Sequence, residues 1–364
     1  MKIWIDAQDP KSVIFLNKVA EKLRQKGAKI LFTTRAFREN LKLLEIWNIR
    51  ARIIGHYGIT LKEKLIASTT RILGLIPIVE EFKPDGAISF SSPECARVAY
   101  GLAIPHFCAN DSPHTEASPK LTIPLSQCLF TPWVIPKHAW VKYGIDEDRI
   151  FQYRALDVVA WLKDFKPRKN VLNELNLSLD KPIIVVRALE IFATYVMGRV
   201  KDPTGTIVKN LIRELGNDVQ IVVIPRYEAQ LEKLKSELQY KNVIITEKPI
   251  DATSLLSYAD VLICGGGTMA QEAALLGTPV ISIFPIPYKM YCLEYLLERR
   301  FLFKPKRIED VPKLTHELLT NNDLKEDYRE RAKKELESME NPAEYIASKV
   351  IELLHASYDT RKRA

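Results

Sequence analysis

The chain has 364 residues, of which 47% are hydrophobic and 27% charged, a balance that is typical of a folded globular protein and excludes a disordered one. Its length predicts two domains of ordinary size. Lys and Arg outnumber Asp and Glu by 53 to 45, and the net charge of +8 favours an anionic partner such as a nucleotide diphosphate, an anionic lipid or a nucleic acid.

Targeting and redox signals in the sequence point to the cytoplasm. The segment MKIWIDAQDP carries charges where a signal peptide has an apolar run, and the longest apolar stretches are interrupted by Gly or Pro well short of the ~20 residues of a membrane span. The five cysteines form no close C-x-x-C pair, so they indicate neither a disulfide framework nor a zinc site. We therefore expect a cytoplasmic protein.

The first half of the chain alternates strand-like and helix-like segments, which is the pattern of βαβ units on a parallel sheet. A strand at 2–6, a helix at 12–25 and a strand at 29–33 make the first unit. Further strands are predicted at 51–54, 86–89, 105–108 and 128–131. This pattern predicts an N-terminal Rossmann-like domain over residues 1–155.

A long helix at 61–81 has apolar residues at helical spacing, while Lys62, Lys64 and Arg71 supply positive charge. Two interpretations stay open. The helix packs on the sheet with a solvated basic face, or it lies on a membrane surface.

The polar, Lys-rich stretch at 157–180 is interpreted as a hinge, after which a second α/β domain is predicted over residues 180–340. Its strands are predicted at 183–186, 220–224, 243–245, 261–264 and 280–284, and its helices at 206–215, 228–238, 252–258 and 269–276. Helical patterns at 308–319 and 343–354 complete the chain.

The sharpest local signal is VLICGGGTMAQEAALLGTPVISIFP, a buried strand, three glycines, a helix and another buried strand. The glycines Gly265, Gly266 and Gly267 fit neither G-x-G-x-x-G nor a P-loop. Glycines at the carboxyl end of a strand still let the backbone approach a ligand, and the N–H groups opening the next helix favour a diphosphate. Thr268 adds a hydroxyl, and Glu272 is placed to accept hydrogen bonds from a ribose diol. The structural alternative is a tight turn with Glu272 offsetting the helix dipole.

Around this loop the sequence resembles the nucleotide-binding half of UDP-N-acetylglucosamine 2-epimerases and of the N-acetylglucosaminyltransferase that makes the lipid-linked peptidoglycan precursor. The likeness covers roughly residues 243–284, and the chain as a whole is identified as a member of an uncharacterised, largely prokaryotic GT-B-like family, a domain of unknown function. The matching residues are Pro249, Ile250, Asp251, Leu255, Leu256, Ala259, Asp260, Gly265 to Thr268, Glu272, Ala273, Gly277 and Pro279.

This resemblance implies a GT-B fold, an α/β architecture of two Rossmann-like domains with parallel sheets facing across a cleft. Residues 180–340 would bind a nucleotide-sugar, and the helix at 341–364 would return toward the N-terminal domain. By position, Gly265, Gly266, Gly267 and Thr268 would hold the diphosphate, Glu272 the ribose, and residues near Pro249 the base. No metal or cofactor is expected, because GT-B enzymes stabilise the leaving diphosphate with helix dipoles and basic side chains.

Arg187 stands where the resembling epimerases carry His in an H-x-x-E pattern, with Glu190 three residues on. A guanidinium stays protonated at neutral pH, so it is a poor proton shuttle but a good clamp for phosphate oxygens. Arg226 is a second candidate of the same kind. For both arginines the alternative is an ion pair at the surface or at a domain interface.

Polar residues gather at the predicted carboxyl ends of strands in the first half, where ligands of open α/β sheets bind. His114 or Asp111 could take a proton from an acceptor hydroxyl, and a turn or loop-capping role is the alternative for each. The acids that the epimerases need are out of register in ISFSSPE and HFCANDSPH, which counts against epimerase chemistry. The group comprises Asp6, Gln8, Asp9, Ser91, Ser92, Glu94, Asn110, Asp111 and His114.

These observations predict a metal-independent glycosyltransferase that uses a nucleotide-activated sugar, most simply a UDP-sugar. An acceptor that is lipid-linked or otherwise anionic would suit the positive charge and the helix at 61–81, which could also contact a membrane. The alternatives are a UDP-sugar 2-epimerase and a non-catalytic protein that binds the nucleotide-sugar. A nucleic-acid partner is not expected, because the charges look scattered and are not interleaved with aromatic residues.

Overall fold

The computed structural model describes residues 1–191, 201–284 and 289–363, except for the side chains of residues 38 and 357–363. The chain divides into two compact units. The first comprises residues 1–161 and 339–364, and the second comprises residues 162–338. Each unit contains one sheet, and every strand pair recorded in the described residues is parallel.

The sheet of the first unit has the strand order β3-β2-β1-β4-β5-β6-β7. Strands β4, β5 and β6 are buried throughout, whereas the edge strand β3 is largely exposed. Because the order reverses between β1 and β4, the carboxyl ends of these strands form the switch point at which open α/β sheets bind ligands. The strands are β1 (Lys2–Ala7), β2 (Lys29–Ala36), β3 (Arg52–His56), β4 (Gly86–Phe90), β5 (His106–Ala109), β6 (Cys128–Pro132) and β7 (Ile150–Tyr153).

The sheet of the second unit has the order β10-β9-β8-β11-β12-β13 over the described residues. Its centre is formed by the apolar strands β8, β9 and β11, and its switch point lies between β8 and β11. The strands are β8 (Ile183–Arg187), β9 (Gln220–Ile224), β10 (Val243–Ile245), β11 (Val261–Cys264), β12 (Val280–Ser282) and β13 (Leu302–Phe303).

Helices connect the strands of both sheets. The earlier ones are α1 (Pro10–Gln25), α2 (Arg38–Ile46), α3 (Leu61–Phe82), α4 (Pro93–Gly101), α5 (Ala117–Thr122), α6 (His138–Val141), α7 (Val159–Leu162) and α8 (Asn170–Glu174). The later ones are α9 (Thr204–Leu215), α10 (Glu228–Glu237), α11 (Ala252–Tyr258), α12 (Thr268–Leu276), α13 (Tyr291–Glu298), α14 (Val311–Thr320), α15 (Asn322–Ser338) and α16 (Pro342–Arg363). None of the described helices is both long and apolar enough to cross a bilayer.

The final helix belongs to the first unit. Helix α16 packs against α1, and its residues Ile346, Ala347 and Val350 are completely buried. Lys26, the residue that follows α1, has its Nζ 2.7 Å from Glu344 Oε1 of α16. The first unit is therefore built from two separate stretches of the chain.

The predicted α/β fold class, with two Rossmann-like parallel sheets, is confirmed, and several elements begin and end at the predicted residues, including β9, β10, β11 and α11. Other predictions were incomplete. Strands β7 and β13 and helices α2, α4, α5, α6, α13 and α15 were not predicted. The strand predicted at 280–284 ends at Ser282, and the segment interpreted as a hinge contains α7 and α8. These short or strongly charged segments have too weak a hydrophobic periodicity to be assigned from the sequence.

Candidate functional site

The glycine turn of the second unit leads from the buried strand β11 into helix α12. Gly267 caps α12 with φ 79° and ψ −154°, a conformation open essentially only to glycine. Among the residues that the structure describes, none would lie within 4 Å of a Cβ atom at this position. Open space therefore lies beside the start of the helix, where an anion can reach backbone N–H groups.

The two preceding glycines serve packing. A Cβ on Gly265 would lie 2.6 Å from Leu189 Cδ2, and one on Gly266 would collide with Leu293 Cδ1. Gly266, whose φ is +103°, donates its N–H to Cys264 Sγ at 3.3 Å, and burial raises the pKa of that thiol to about 11. The three glycines thus have different physical roles, and only Gly267 faces open space.

Glu272 is 4% exposed and lies in the second turn of α12. Its Oε1 accepts a hydrogen bond of 2.8 Å from the Thr253 hydroxyl, which links α12 to α11. The first turn of α12 contains no acidic residue. Because a helix dipole acts mainly on charges in that turn, the dipole interpretation of Glu272 has little support here.

The arginines predicted as phosphate clamps lie at the carboxyl ends of β8 and β9. Arg187 Nη1 donates to the Pro225 carbonyl at 2.7 Å, and Arg226 Nε donates to the Ala188 carbonyl at 2.9 Å. Glu190 accepts a hydrogen bond from the Tyr227 hydroxyl and lies 4.0 Å from Arg226 Nη1. Both guanidiniums are therefore anchored to backbone oxygens at the edge of the second sheet where the glycine turn lies.

The segment around Pro249 precedes α11. Pro249 is half-buried, and Asp251 caps the helix by accepting hydrogen bonds from the Ser254 N–H at 3.2 Å and hydroxyl at 2.7 Å. Asp251 Oδ2 also lies 3.6 Å from Arg168 Nε. The acid of the Pro-x-Asp pattern is thus used in fixing the start of α11, and contact of the Pro249 segment with a base stays a prediction.

At the switch point of the first sheet, Asp6 and Arg71 form a buried bidentate pair, with Arg71 Nη1 3.0 Å from Asp6 Oδ2 and Nη2 2.6 Å from Oδ1. Ser92 and Thr33 also donate to Asp6, at 2.6 and 2.5 Å. Burial alone would raise the pKa of Asp6, but the guanidinium and these donors outweigh it and hold the pKa below its ordinary value.

The interpretation of Arg71 as part of a basic surface was wrong. Arg71 is 1% exposed, because it lies on the inner stripe of α3 together with Ala67, Leu75 and Val79, four residues apart. The spacing was visible in the sequence, but the sequence does not show that Asp6 faces Arg71. Without that partner, a charged residue is not expected on the buried side of a helix.

A second charged cluster joins three segments of the first unit. Lys11 Nζ contacts the carboxylate of Asp111 and lies 2.6 Å from Asp157 Oδ2, while the Tyr153 hydroxyl donates to Asp157. Burial favours the neutral form of both acids, but the ammonium of Lys11 holds the pKa of Asp111 below its ordinary value. Asp157 is more deeply buried beside Asp111, and its pKa is raised.

Neither Lys11 nor Asp157 was singled out from the sequence as part of a site. Asp157 follows β7, the strand that was not predicted, so it was assigned to the hinge. The sequence signal that could have found it is the short run Ile150–Tyr153, IFQY, in which three of the four residues are aliphatic or aromatic.

The other polar residues predicted at this edge are also brought together. Gln8 donates to Glu94, and Asn110 donates to Ser91, while Asp9 caps α1 by accepting from the Ser12 N–H at 3.0 Å. His114 is half-buried, and burial lowers its pKa. Among the described residues, no group of three or more His, Cys, Asp and Glu side chains is arranged to hold a metal ion.

Comparison with solved structures shows the same fold in sugar-nucleotide enzymes. The UDP co-structure of S. aureus MnaA matches with a TM-score of 0.72 at 15% identity, covering 99% of this chain and 97% of that one. UDP-GlcNAc 2-epimerase from Neisseria meningitidis matches at 0.66 and 19% identity over 98% and 100%. MurG from Acinetobacter baumannii, a GT-B glycosyltransferase, matches at 0.55 and 15% over 97% and 100%. The fold is therefore of the GT-B type.

Sequence comparison gives a nearer relative. Uncharacterized protein MJ0665 of Methanocaldococcus jannaschii is 33% identical over 314 residues, which cover 85% of this chain and 89% of the relative. Residues 1–355 match the family "Protein of unknown function (DUF354)". The chain thus belongs to the DUF354 family.

Proposed function

We propose that the protein binds a UDP-sugar at the carboxyl edge of the second sheet and transfers its sugar to an acceptor hydroxyl without a metal ion. The observation that carries this proposal is Gly267, whose glycine-only conformation and open surroundings leave the start of α12 accessible to a diphosphate. Arg187 and Arg226, anchored at the same edge, supply positive charge for the phosphate oxygens.

The choice of nucleotide is supported by proteins of the same fold. A UDP co-structure of S. aureus MnaA and a UDP-GlcNAc complex of the Neisseria meningitidis epimerase are among the matches. In this chain Thr268 would add a hydroxyl to the diphosphate contacts, Glu272 would accept hydrogen bonds from the ribose hydroxyls, and the segment at Pro249 would contact the base. The acceptor is proposed to be anionic or lipid-linked, in keeping with the net charge of +8.

In the proposed reaction the acceptor oxygen attacks the anomeric carbon, the bond from that carbon to the diphosphate breaks, and UDP departs with the bonding electrons. His114 takes the proton of the acceptor hydroxyl. Of the two predicted bases His114 is the better one, because burial lowers its pKa and keeps the imidazole neutral at pH 7. Asp111 is held ionised by Lys11 at a lowered pKa, so it is the weaker proton acceptor of the two.

A 2-epimerase is the second candidate, favoured by the higher TM-scores of UDP-GlcNAc 2-epimerase structures, 0.66 to 0.71, against 0.55 for MurG and 0.58 for a glycotransferase of kitacinnamycin. The two reactions differ at the second carbon of the sugar. Epimerisation in D2O incorporates deuterium at this carbon and transfers no sugar to an acceptor. Transfer releases UDP, and the second carbon keeps its original hydrogen. A protein that binds the UDP-sugar and does neither would be a non-catalytic binding protein.

Calorimetric titration of UDP into the wild-type protein and Glu272→Ala tests the site. Loss of charge-assisted hydrogen bonds to the ribose should weaken binding by ~1.5–3 kcal/mol, about ten- to a hundredfold. Glu298→Ala, at an exposed glutamate of α13, should bind UDP as the wild type does.

A second variant separates ligand binding from folding. Thr253→Val removes the hydroxyl that donates to Glu272 but keeps the carboxylate, so it should cost about 1 kcal/mol of stability and much less affinity than Glu272→Ala. Unchanged UDP affinity in Glu272→Ala would remove the residue from the site, and the absence of UDP binding by the wild type would overturn the proposal.

A further inference from the structure

The solvent-facing side of α3 and the turn before it expose large aliphatic side chains. Ile59, Leu61, Leu65, Ile66 and Leu73, which we call the outer apolar face, are between 53% and 69% exposed. Isolated exposed apolar residues are ordinary, but a run of this kind along one helix marks an interaction surface.

The rotation of α3 about its own axis is fixed by contacts on its buried side. Ala67, Arg71, Leu75 and Val79 form the buried stripe, and Arg71 fixes the rotation of α3 through its bidentate pair with Asp6. A Cβ on Gly74 would lie 3.0 Å from Ile54 of β3, so α3 also lies close to the edge strand. With that rotation fixed, Leu65, Ile66 and Leu73 must point outward.

The positive charge of the chain is concentrated in the same part of the sequence. Residues 1–79 contain 15 Lys and Arg against six Asp and Glu, whereas residues 80–364 contain 38 against 39. Without Lys11 and Arg71, which are paired with acids inside the fold, the segment that carries the outer apolar face still has 13 Lys and Arg against six Asp and Glu. Lys62 and Arg50 of this segment are exposed, and the exposed Arg52 lies 3.6 Å from Glu81 of α3.

We infer that the outer apolar face docks on an anionic lipid surface. Aliphatic side chains enter the boundary between headgroups and acyl chains, and the surrounding lysines and arginines attract anionic headgroups. Nucleic acid fits less well, because its bases stack on aromatic side chains and this face is aliphatic. A second copy fits less well too, since self-association would bring two basic segments together.

This inference goes beyond the proposed sugar transfer and stands on different residues. The outer apolar face belongs to the first unit, and UDP binding is assigned to the second. If the protein binds vesicles but not UDP, only the proposed function is contradicted. If it binds UDP but not vesicles, only this inference is contradicted.

The test is co-sedimentation of the full chain with vesicles of phosphatidylcholine alone or mixed equally with phosphatidylglycerol. We expect binding to the mixed vesicles, weaker binding at high salt, and at least about a tenfold loss in the double variant Leu65→Ser/Leu73→Ser. Leu121→Ser is the matched control, because Leu121 is 59% exposed on α5, outside this face. Circular dichroism melting checks that the variants fold.

Three outcomes would overturn the inference. The first is equal binding of the double variant and the Leu121→Ser control. The second is absence of binding to mixed vesicles together with concentration-dependent self-association of the wild type that the double variant loses. The third is tight binding of single-stranded RNA by a protein that does not bind the vesicles.

Discussion

Each of the two parallel sheets has a switch point at its carboxyl edge, but the residues at the two edges differ in how their charges are paired. At the first edge, charged side chains neutralise one another, as Asp6 does with Arg71 and Lys11 does with Asp111 and Asp157. At the second edge, Gly267 leaves open space beside a helix start, and arginines are anchored to carbonyl oxygens. The buried charges of the first edge are thus paired with one another, whereas the second edge presents a helix start and two arginines held by carbonyl oxygens.

This difference separates charge used for folding from charge offered to a ligand. In the buried bidentate pair, the guanidinium of Arg71 is already bound by Asp6, so an anionic ligand would have to compete with Asp6 for it. Arg187 and Arg226 are instead oriented by carbonyl oxygens, with the partly exposed Glu190 4.0 Å from Arg226. Polar residues at a strand end therefore indicate a site only when their partners inside the protein are known.

The largest expected effect is at the first edge. Replacing Arg71 with Met leaves the Asp6 carboxylate buried without its cation and should reduce the free energy of unfolding by ~3–5 kcal/mol in urea denaturation. Arg52→Met, which removes a pair with Glu81 across 3.6 Å at an exposed position, should change it by less than about 1 kcal/mol. Similar losses in the two variants would mean that the Asp6 pair is not buried as described.

The first sheet also contains a buried imidazole that makes it acid-sensitive. His106 lies between the hydroxyls of Ser89 and Ser126, at 2.9 and 2.8 Å, and burial lowers its pKa from 6.5 to about 4. Between these values the unfolded chain binds the proton and the folded chain does not, so stability falls as the pH drops through this window.

From pH 7 to pH 5 the wild type should therefore lose about 2 kcal/mol of unfolding free energy that His106→Asn does not lose. Urea midpoints of both proteins at the two pH values measure the difference. Equal losses would show that His106 is not the group responsible.

At the second edge, Gly267→Ala should cost about 1–2 kcal/mol of stability, since backbone strain exceeds the entropy gained in the unfolded chain. It should also weaken UDP binding at least about tenfold by filling the open space. Gly216→Ala is the matched control, because Gly216 has φ 62° and ψ −140° and a Cβ there would also have none of the described residues within 4 Å. It should show the stability loss alone; an equal loss of UDP affinity in both variants would contradict the assignment.

The smallest expected effect is that of metal removal. If fixed dipoles and guanidiniums stabilise the departing diphosphate, turnover of a UDP-sugar should be unchanged by EDTA. Loss of turnover with EDTA and recovery with magnesium or manganese would show that a metal ion takes part.

The fold could be predicted from the sequence because strands such as Gln220–Ile224 and Val261–Cys264 are short apolar runs bounded by turn residues. The glycine turn was equally visible. The partners of charged residues were not, since Asp6 and Arg71 are 65 residues apart and no local pattern pairs them. The basic charges looked scattered because they were judged along the whole chain, and counting them by segment shows their concentration in residues 1–79.

The discontinuous first unit has a consequence for synthesis on the ribosome. Helix α1 is translated early, but α16, which covers it, emerges only after the entire second unit has been made. A nascent chain therefore carries an uncovered apolar surface on α1 for most of its elongation, while residues 162–338 can collapse on their own. Chaperone binding to ribosome-bound chains should accordingly persist until α16 is released from the exit tunnel.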